Sequence, residues 1–124
     1  MKIPEGHQRV MPYFIVEDAT AFFDFAARVF GAQLTYPAER PDVLDGHCEM
    51  GIGSSTMMFA KCGGPWKPRT ADLFVYVENA DDTYSRALDA GATMVMEMAD
   101  QNYGRSGGVT DPFGNVWWIT SVAE

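Results

Sequence analysis

The chain has 124 residues, 47% of them hydrophobic, with 17 acidic against nine basic side chains and a formal net charge of −8. That is enough apolar chain to bury a core without staples, and the acidic balance excludes a nucleic-acid partner, which would need a basic patch to release counterions. No apolar run reaches bilayer length and MKIPEGHQRV lacks the h-region of a secretory signal, so a cytoplasmic, soluble chain without a membrane partner is expected, with Cys48 and Cys62 as thiols.

The first apolar stretch alternates: Phe14 and Val16 belong under a helix, while Met11, Tyr13 and Ile15 point the other way. Asp18 can cap a helix on which Phe22, Ala26, Val29 and Phe30 recur at helical spacing, and Gly31 can take the left-handed conformation past its end. Extended stretches follow at Gln33 to Tyr36, Gly46 to Ile52 and Thr56 to Ala60, the last two joined by a turn at Gly53-Ser54-Ser55. In the middle stretch Cys48, Met50 and Ile52 form the core set, leaving His47 and Glu49 opposite. Next comes CGGPWKP, whose Gly and Pro residues oppose helix and strand; Trp66 there suits a lid or the filling of a groove on a partner.

The grammar then repeats. Leu73, Val75 and Val77 belong under a helix, with Asp72, Phe74 and Tyr76 opposite. Asn79 or Asp81 can cap that helix, Tyr84, Ala87 and Leu88 face inward, and Gly91 ends it. Strands are expected at Thr93 to Glu97, Ser106 to Thr110 and Val116 to Ser121, with a turn at Phe113-Gly114-Asn115. Tyr103 and Arg105 fall in a loop, DQNYGRSGG, that Gly107 and Gly108 make mobile; Arg105 is either solvated or an anchor for an anionic group. In the last strand Trp117 and Ile119 go to the helix side, so Trp118 must look at the opposite face.

Val16-Glu17-Asp18-Ala19 answers Val77-Glu78-Asn79-Ala80, and Gly31-Ala32 answers Gly91-Ala92. A module of strand, helix and three strands is performed twice, and one so small needs its twin to close the fold. The expectation is a single domain over 1–124, with module one at about 8–60, a linker at 61–70 and module two at about 71–122.

With this architecture, the phrases PYFIVEDATAFFDFAARVFGA, DGHCEMGIGSSTMMF, DQNYG and DPFGNVWW resemble those of the vicinal oxygen chelate superfamily, in its glyoxalase/bleomycin-resistance group and PhnB-like branch. The resemblance implies an α+β fold: two βαβββ modules forming a curved mixed sheet around a concave cavity, commonly completed in a homodimer. It also implies where the superfamily's enzymes hold a divalent metal. Those positions fall here on Met11, on the stretch Thr56 to Ala60, on Asp72 and on Trp118, of which only Asp72 could ligate such an ion. The usual site is therefore expected to be lost, with no metal and no cofactor, and Trp118 stands where the metal enzymes carry a ligand.

In its place Met11, Tyr13, Met57, Phe59, Phe74, Tyr76 and Trp118 are expected to line an aromatic cleft, with His47, Glu49 and Asp72 as polar groups and Trp66, Tyr103 and Arg105 at its border. The function so implied is a small-molecule binding protein of the bleomycin-resistance type, stacking a flat or cationic ligand. The alternative is a metal-dependent lyase, isomerase or dioxygenase with a displaced site drawn from His7, His47, Glu49 and Asp72. A third reading is metal-free proton transfer by His47 with Glu49, two apart on one strand face and the only catalytic candidates.

Overall fold

The computed structural model describes residues 1–123. The elements run β1 (Tyr13–Val16), α1 (Ala19–Phe30), β2 (Gln33–Tyr36), β3 (His47–Ile52), β4 (Ser55–Lys61), β5 (Asp72–Tyr76), α2 (Ala80–Asp89), β6 (Thr93–Gln101), β7 (Gly104–Thr110) and β8 (Val116–Ser121). The strands form two four-stranded mixed sheets, in the orders β1-β4-β3-β2 and β5-β8-β7-β6. In each, the first strand of the module lies parallel to the last, and the remaining neighbours are antiparallel. This is the α+β arrangement of two βαβββ modules. By contacts the chain divides into two compact units, 1–27 with 31–69, and 28–30 with 70–124. Among the described residues no helix is long and apolar enough to cross a membrane.

The helices begin and end where their chemistry dictates. Asp18 accepts a hydrogen bond from the Ala21 N–H at 2.9 Å, and Gly31 closes α1 with φ 70°. Asn79, rather than Asp81, caps α2 by accepting from the Asp82 N–H at 3.1 Å. Asp81 is engaged elsewhere, by Arg105.

Within the first unit, Phe14, Phe22, Cys48, Met50 and Phe59 are buried. The rings of Phe14 and Phe22 lie 5.0 Å apart, and those of Phe22 and Phe59 5.6 Å apart. Each such side chain contributes roughly 1.5–3 kcal/mol by leaving water. In the second unit the buried set is Trp117, Ile119, Val109, Ala80, Thr83 and Ala87. Leu88, expected inward, is 38% exposed, because Ala80, Thr83 and Ala87 form the buried stripe of α2.

Two expectations about strands are corrected. Met57 and Phe59 do not share a face with His47 and Glu49. The tight turn after Ile52 pairs Ile52 with Ser55, so Met57 falls opposite Met50 and Phe59 opposite Cys48, in the core. The face beside His47 and Glu49 receives Ala60 and Met58 instead. Second, DQNYGRSGG is not a mobile loop: β6 extends to Gln101, β7 begins at Gly104, and Gly107 and Gly108 are buried within the ladder. A Cβ on Gly108 would lie 2.7 Å from two ring carbons of Trp118, and one on Gly107 would strike Met98 and Tyr84. These glycines make room for neighbouring side chains rather than for motion.

Candidate functional site

A motif that looks functional in the sequence, DPFGNVWW, proves to be the device that aims the tryptophans. Asp111 is buried in the turn before β8. Its Oδ1 accepts from the N–H groups of Phe113 and Asn115, both at 2.9 Å. Its Oδ2 accepts from Asn115 Nδ2 at 3.1 Å and from Trp117 Nε1 at 2.8 Å. Asn115 Oδ1 in turn accepts from the Ala71 N–H at 3.0 Å, which ties the turn to the start of β5. With Trp117 pinned inward at 1% exposure, strand alternation sends Trp118 to the opposite face.

There, in the second unit, Trp118 lies over Gly108, and its Nε1 donates to Asp72 Oδ2 at 3.2 Å. Phe74, its partner across the ladder, touches Tyr76 (ring centroids 5.3 Å apart) and Tyr103 (6.0 Å). Phe74 and Tyr103 are each 49% exposed and Tyr76 69%. The face thus offers four aromatic rings to solvent with one carboxylate among them. Arg105, expected to be solvated or an anion anchor, is spent on Asp81 at 3.0 Å and Asp100 at 3.4 Å. Hydrogen bonding from Arg105 holds the Asp81 carboxyl below the usual range.

On the corresponding face of the first unit the polar candidates form one hydrogen-bonded chain. Tyr13 Oη lies 3.0 Å from His47 Nδ1, and His47 Nε2 lies 2.8 Å from Glu49 Oε2. The other Glu49 oxygen lies 2.6 Å from His7 Nε2. Burial opposes ionisation of Glu49, but hydrogen bonds from His47 and His7 outweigh it, and the carboxyl sits below its ordinary pKa. An ionised carboxylate only accepts, so both Nε2 atoms donate. With the proton of His47 on Nε2, its Nδ1 is the nitrogen left to accept from the Tyr13 hydroxyl.

His7 reaches this chain because its segment is sewn down. Gln8 mimics a strand, its Nε2 donating to Thr56 O at 2.6 Å and its Oε1 accepting from Thr56 N at 3.2 Å, while Thr56 Oγ1 donates to Gly6 O at 2.5 Å. Tyr36 of β2 was not expected here; its ring centroid lies 6.0 Å from that of His47. The alternation of Gln33–Tyr36 carries too few apolar residues to betray its inner face. Met11 is half-buried just before β1, and Trp66 is exposed on a turn closed by paired Gly63 and Trp66 backbone hydrogen bonds of 2.9 Å.

The superfamily's metal does not fit the residues at its usual positions. Met11 and Trp118 are not donors for a hard or borderline ion, Asp72 accepts from the Trp118 indole, and the open face of β4 offers Met58 and Ala60. His7, Glu49 and His47 do converge, yet both Nε2 atoms point their protons at the carboxylate. Among the described residues no group of three or more His, Cys, Asp and Glu side chains is disposed to hold a metal ion.

Residues 8–119 match the family model described as Glyoxalase/Bleomycin resistance protein/Dioxygenase superfamily. The uncharacterized protein Mb0911c of Mycobacterium bovis is 33% identical over 118 residues, covering 86% of this chain and 78% of that one. Among solved structures, TioX from Micromonospora sp. ML1 superposes with a TM-score of 0.71 at 24% identity, over 94% of this chain and 98% of that one. A Bacillus cereus PhnB protein, described as a putative 3-demethylubiquinone-9 3-methyltransferase, gives 0.72 at 15% identity, over 93% and 100%. At those identities the two structures speak for the fold.

Proposed function

We propose that this chain, which belongs to the Glyoxalase/Bleomycin resistance protein/Dioxygenase superfamily, is a small-molecule binding protein that holds a flat or cationic ligand by stacking, without the metal of the superfamily's enzymes. The observation that carries this reading is the disposition of Trp118. Its ring is packed against a glycine, tethered through its N–H by Asp72, and set on the face that carries Phe74, Tyr76 and Tyr103. Such a face is costly to leave in water and has the composition of a stacking platform. Asp72 and the net charge of −8 favour a cation over an anion.

The test is a fluorescence titration with a planar cationic dye such as proflavine. Saturable quenching is expected, and Trp118→Ala should weaken binding about tenfold, roughly 1.4 kcal/mol, within the range of desolvated cation–aromatic contacts. Unchanged affinity in a folded Trp118→Ala protein would remove the basis for the proposal. Near-stoichiometric zinc, nickel, manganese or iron in protein purified without chelator would remove its metal-free part.

Assembly as a homodimer belongs to the same proposal. What supports it is the sheet edge at β6, where Met94 and Val95 are exposed beside open backbone groups. Light scattering across a range of concentrations reads it directly; a monomer throughout contradicts it.

A further inference from the structure

The chain from Tyr13 to His7 has the connectivity of a nucleophilic triad. A hydroxyl donates to an imidazole nitrogen, and the other nitrogen donates to an ionised carboxylate. That linkage, a nucleophile within reach of a base that a third group orients, is the usual mark of covalent catalysis and is recognised by geometry on unrelated folds. Tyr13 is 47% exposed, and the proton of its hydroxyl is directed at His47. Glu49 cannot swing away, because His7 holds its second oxygen and the Gln8 and Gly6 contacts with Thr56 hold His7.

We propose that the first unit carries an acyl-transfer site in which Tyr13 is the nucleophile, His47 its base and Glu49 the group that orients the base, acting on an activated ester or thioester of a small acid. In the first step Tyr13 Oη forms a bond to the acyl carbon as its proton passes to His47 Nδ1. The bond from that carbon to the leaving oxygen or sulfur breaks, and the leaving group takes the proton from His47. The acyl-tyrosine is itself an aryl ester. Water then adds to it, giving a proton to the vacated Nδ1, and the acid leaves as Tyr13 recovers its hydrogen. The sum is ester or thioester plus water to acid plus alcohol or thiol, with no oxidant, reductant or metal. This inference stands apart from the ligand reading of the second unit, since it rests on residues of the first unit alone.

The full chain supplies its own controls away from His47, because Tyr76 and Tyr103 are 69% and 49% exposed, no less than Tyr13, and among the described residues neither donates to an imidazole. p-Nitrophenyl acetate is the probe. Acetylation of each tyrosine is followed by peptide mapping, and the Tyr13 rate also counts the nitrophenolate release lost in Tyr13→Phe, so that hydrolysis of the acyl group does not conceal it. A positioned base contributes on the order of 10²-fold or more. Tyr13 is expected to react at least about tenfold faster than each control, and to fall to their rate in His47→Gln while theirs stay unchanged, which reports an intact fold. A Tyr13 rate within tenfold of the controls, a rate that survives His47→Gln, or label on His47 itself would each overturn the assignment. Weakened dye binding in Trp118→Ala would leave these rates untouched, so the two readings fail separately.

Discussion

Gly108 has no side chain because Trp118 occupies the place where one would be. A methyl there would meet the indole at 2.7 Å, and the ring cannot tilt away without giving up its bond to Asp72. Gly108→Ala should therefore cost roughly 1–3 kcal/mol of stability, as overpacking does, and should also weaken the dye binding that depends on the placement of Trp118. Urea denaturation and the same titration check the two effects; a stable variant with unchanged binding contradicts the placement. Glu49 makes a different kind of statement. Its carboxyl titrates lower in the folded chain than its ordinary value of 4.5, so the folded state binds fewer protons there. The stabilisation is complete above the ordinary carboxylate range and is lost as pH falls through it towards the lower folded value. Denaturation midpoints measured from about pH 7 down to about pH 3 should fall less steeply in Glu49→Gln than in the natural chain. Equal slopes would mean that His7 and His47 do not hold the carboxylate.

At the scale of an element, the turn before β8 matters most. Asp111 gathers two backbone N–H groups, one amide and one indole around a single carboxylate. Asp111→Ala would remove the single acceptor that gathers them, at a cost of about 3 kcal/mol or more, and would loosen the turn that sets the register of β8. A mid-point in urea close to that of the natural chain would contradict this accounting. The same turn shows what the sequence makes legible. Strand, helix and turn positions follow from alternation, capping residues and glycine, and they come out within a few residues of the structure. Sidedness is harder, because it depends on register. Thr56 to Ala60 is apolar on both faces, so nothing in its own residues says that Met57 and Phe59 go inward and Met58 outward; the two-residue connection from β3 decides it. Gly107 and Gly108 misled for a related reason. Glycine marks either freedom or a close approach, and only the neighbours Trp118, Tyr84 and Met98 tell which. The hydrogen bonds of Glu49 and His47 could be anticipated from their spacing, and the displaced site drawn in the sequence already supposes His7 beside them; what no pattern announces is the anchoring of its segment through Gln8 and Thr56.

Across the whole molecule, one module recurs with different side chains at matching places. The registers make the correspondence explicit. Tyr13 pairs with Met58 as Phe74 pairs with Trp118, Glu49 faces Met58 as Gly108 faces Trp118, and His47 faces Ala60 as Ser106 faces Thr120. In the first unit these places hold a titratable chain. In the second they hold rings, together with a Ser106 to Thr120 hydroxyl contact of 2.8 Å. The difference follows from size: a carboxylate and a thioether share the space in one half, an indole and an empty glycine in the other. The seat under Trp118 therefore has a bearing on the chain's history. Placing a tryptophan at Met58 would drive its ring into Glu49, and placing a glutamate at Gly108 would eject Trp118, so neither half can take on the other's character one substitution at a time. The two halves are held apart by epistasis, and a mutational path between them must change facing residues together or pass through a chain that packs badly.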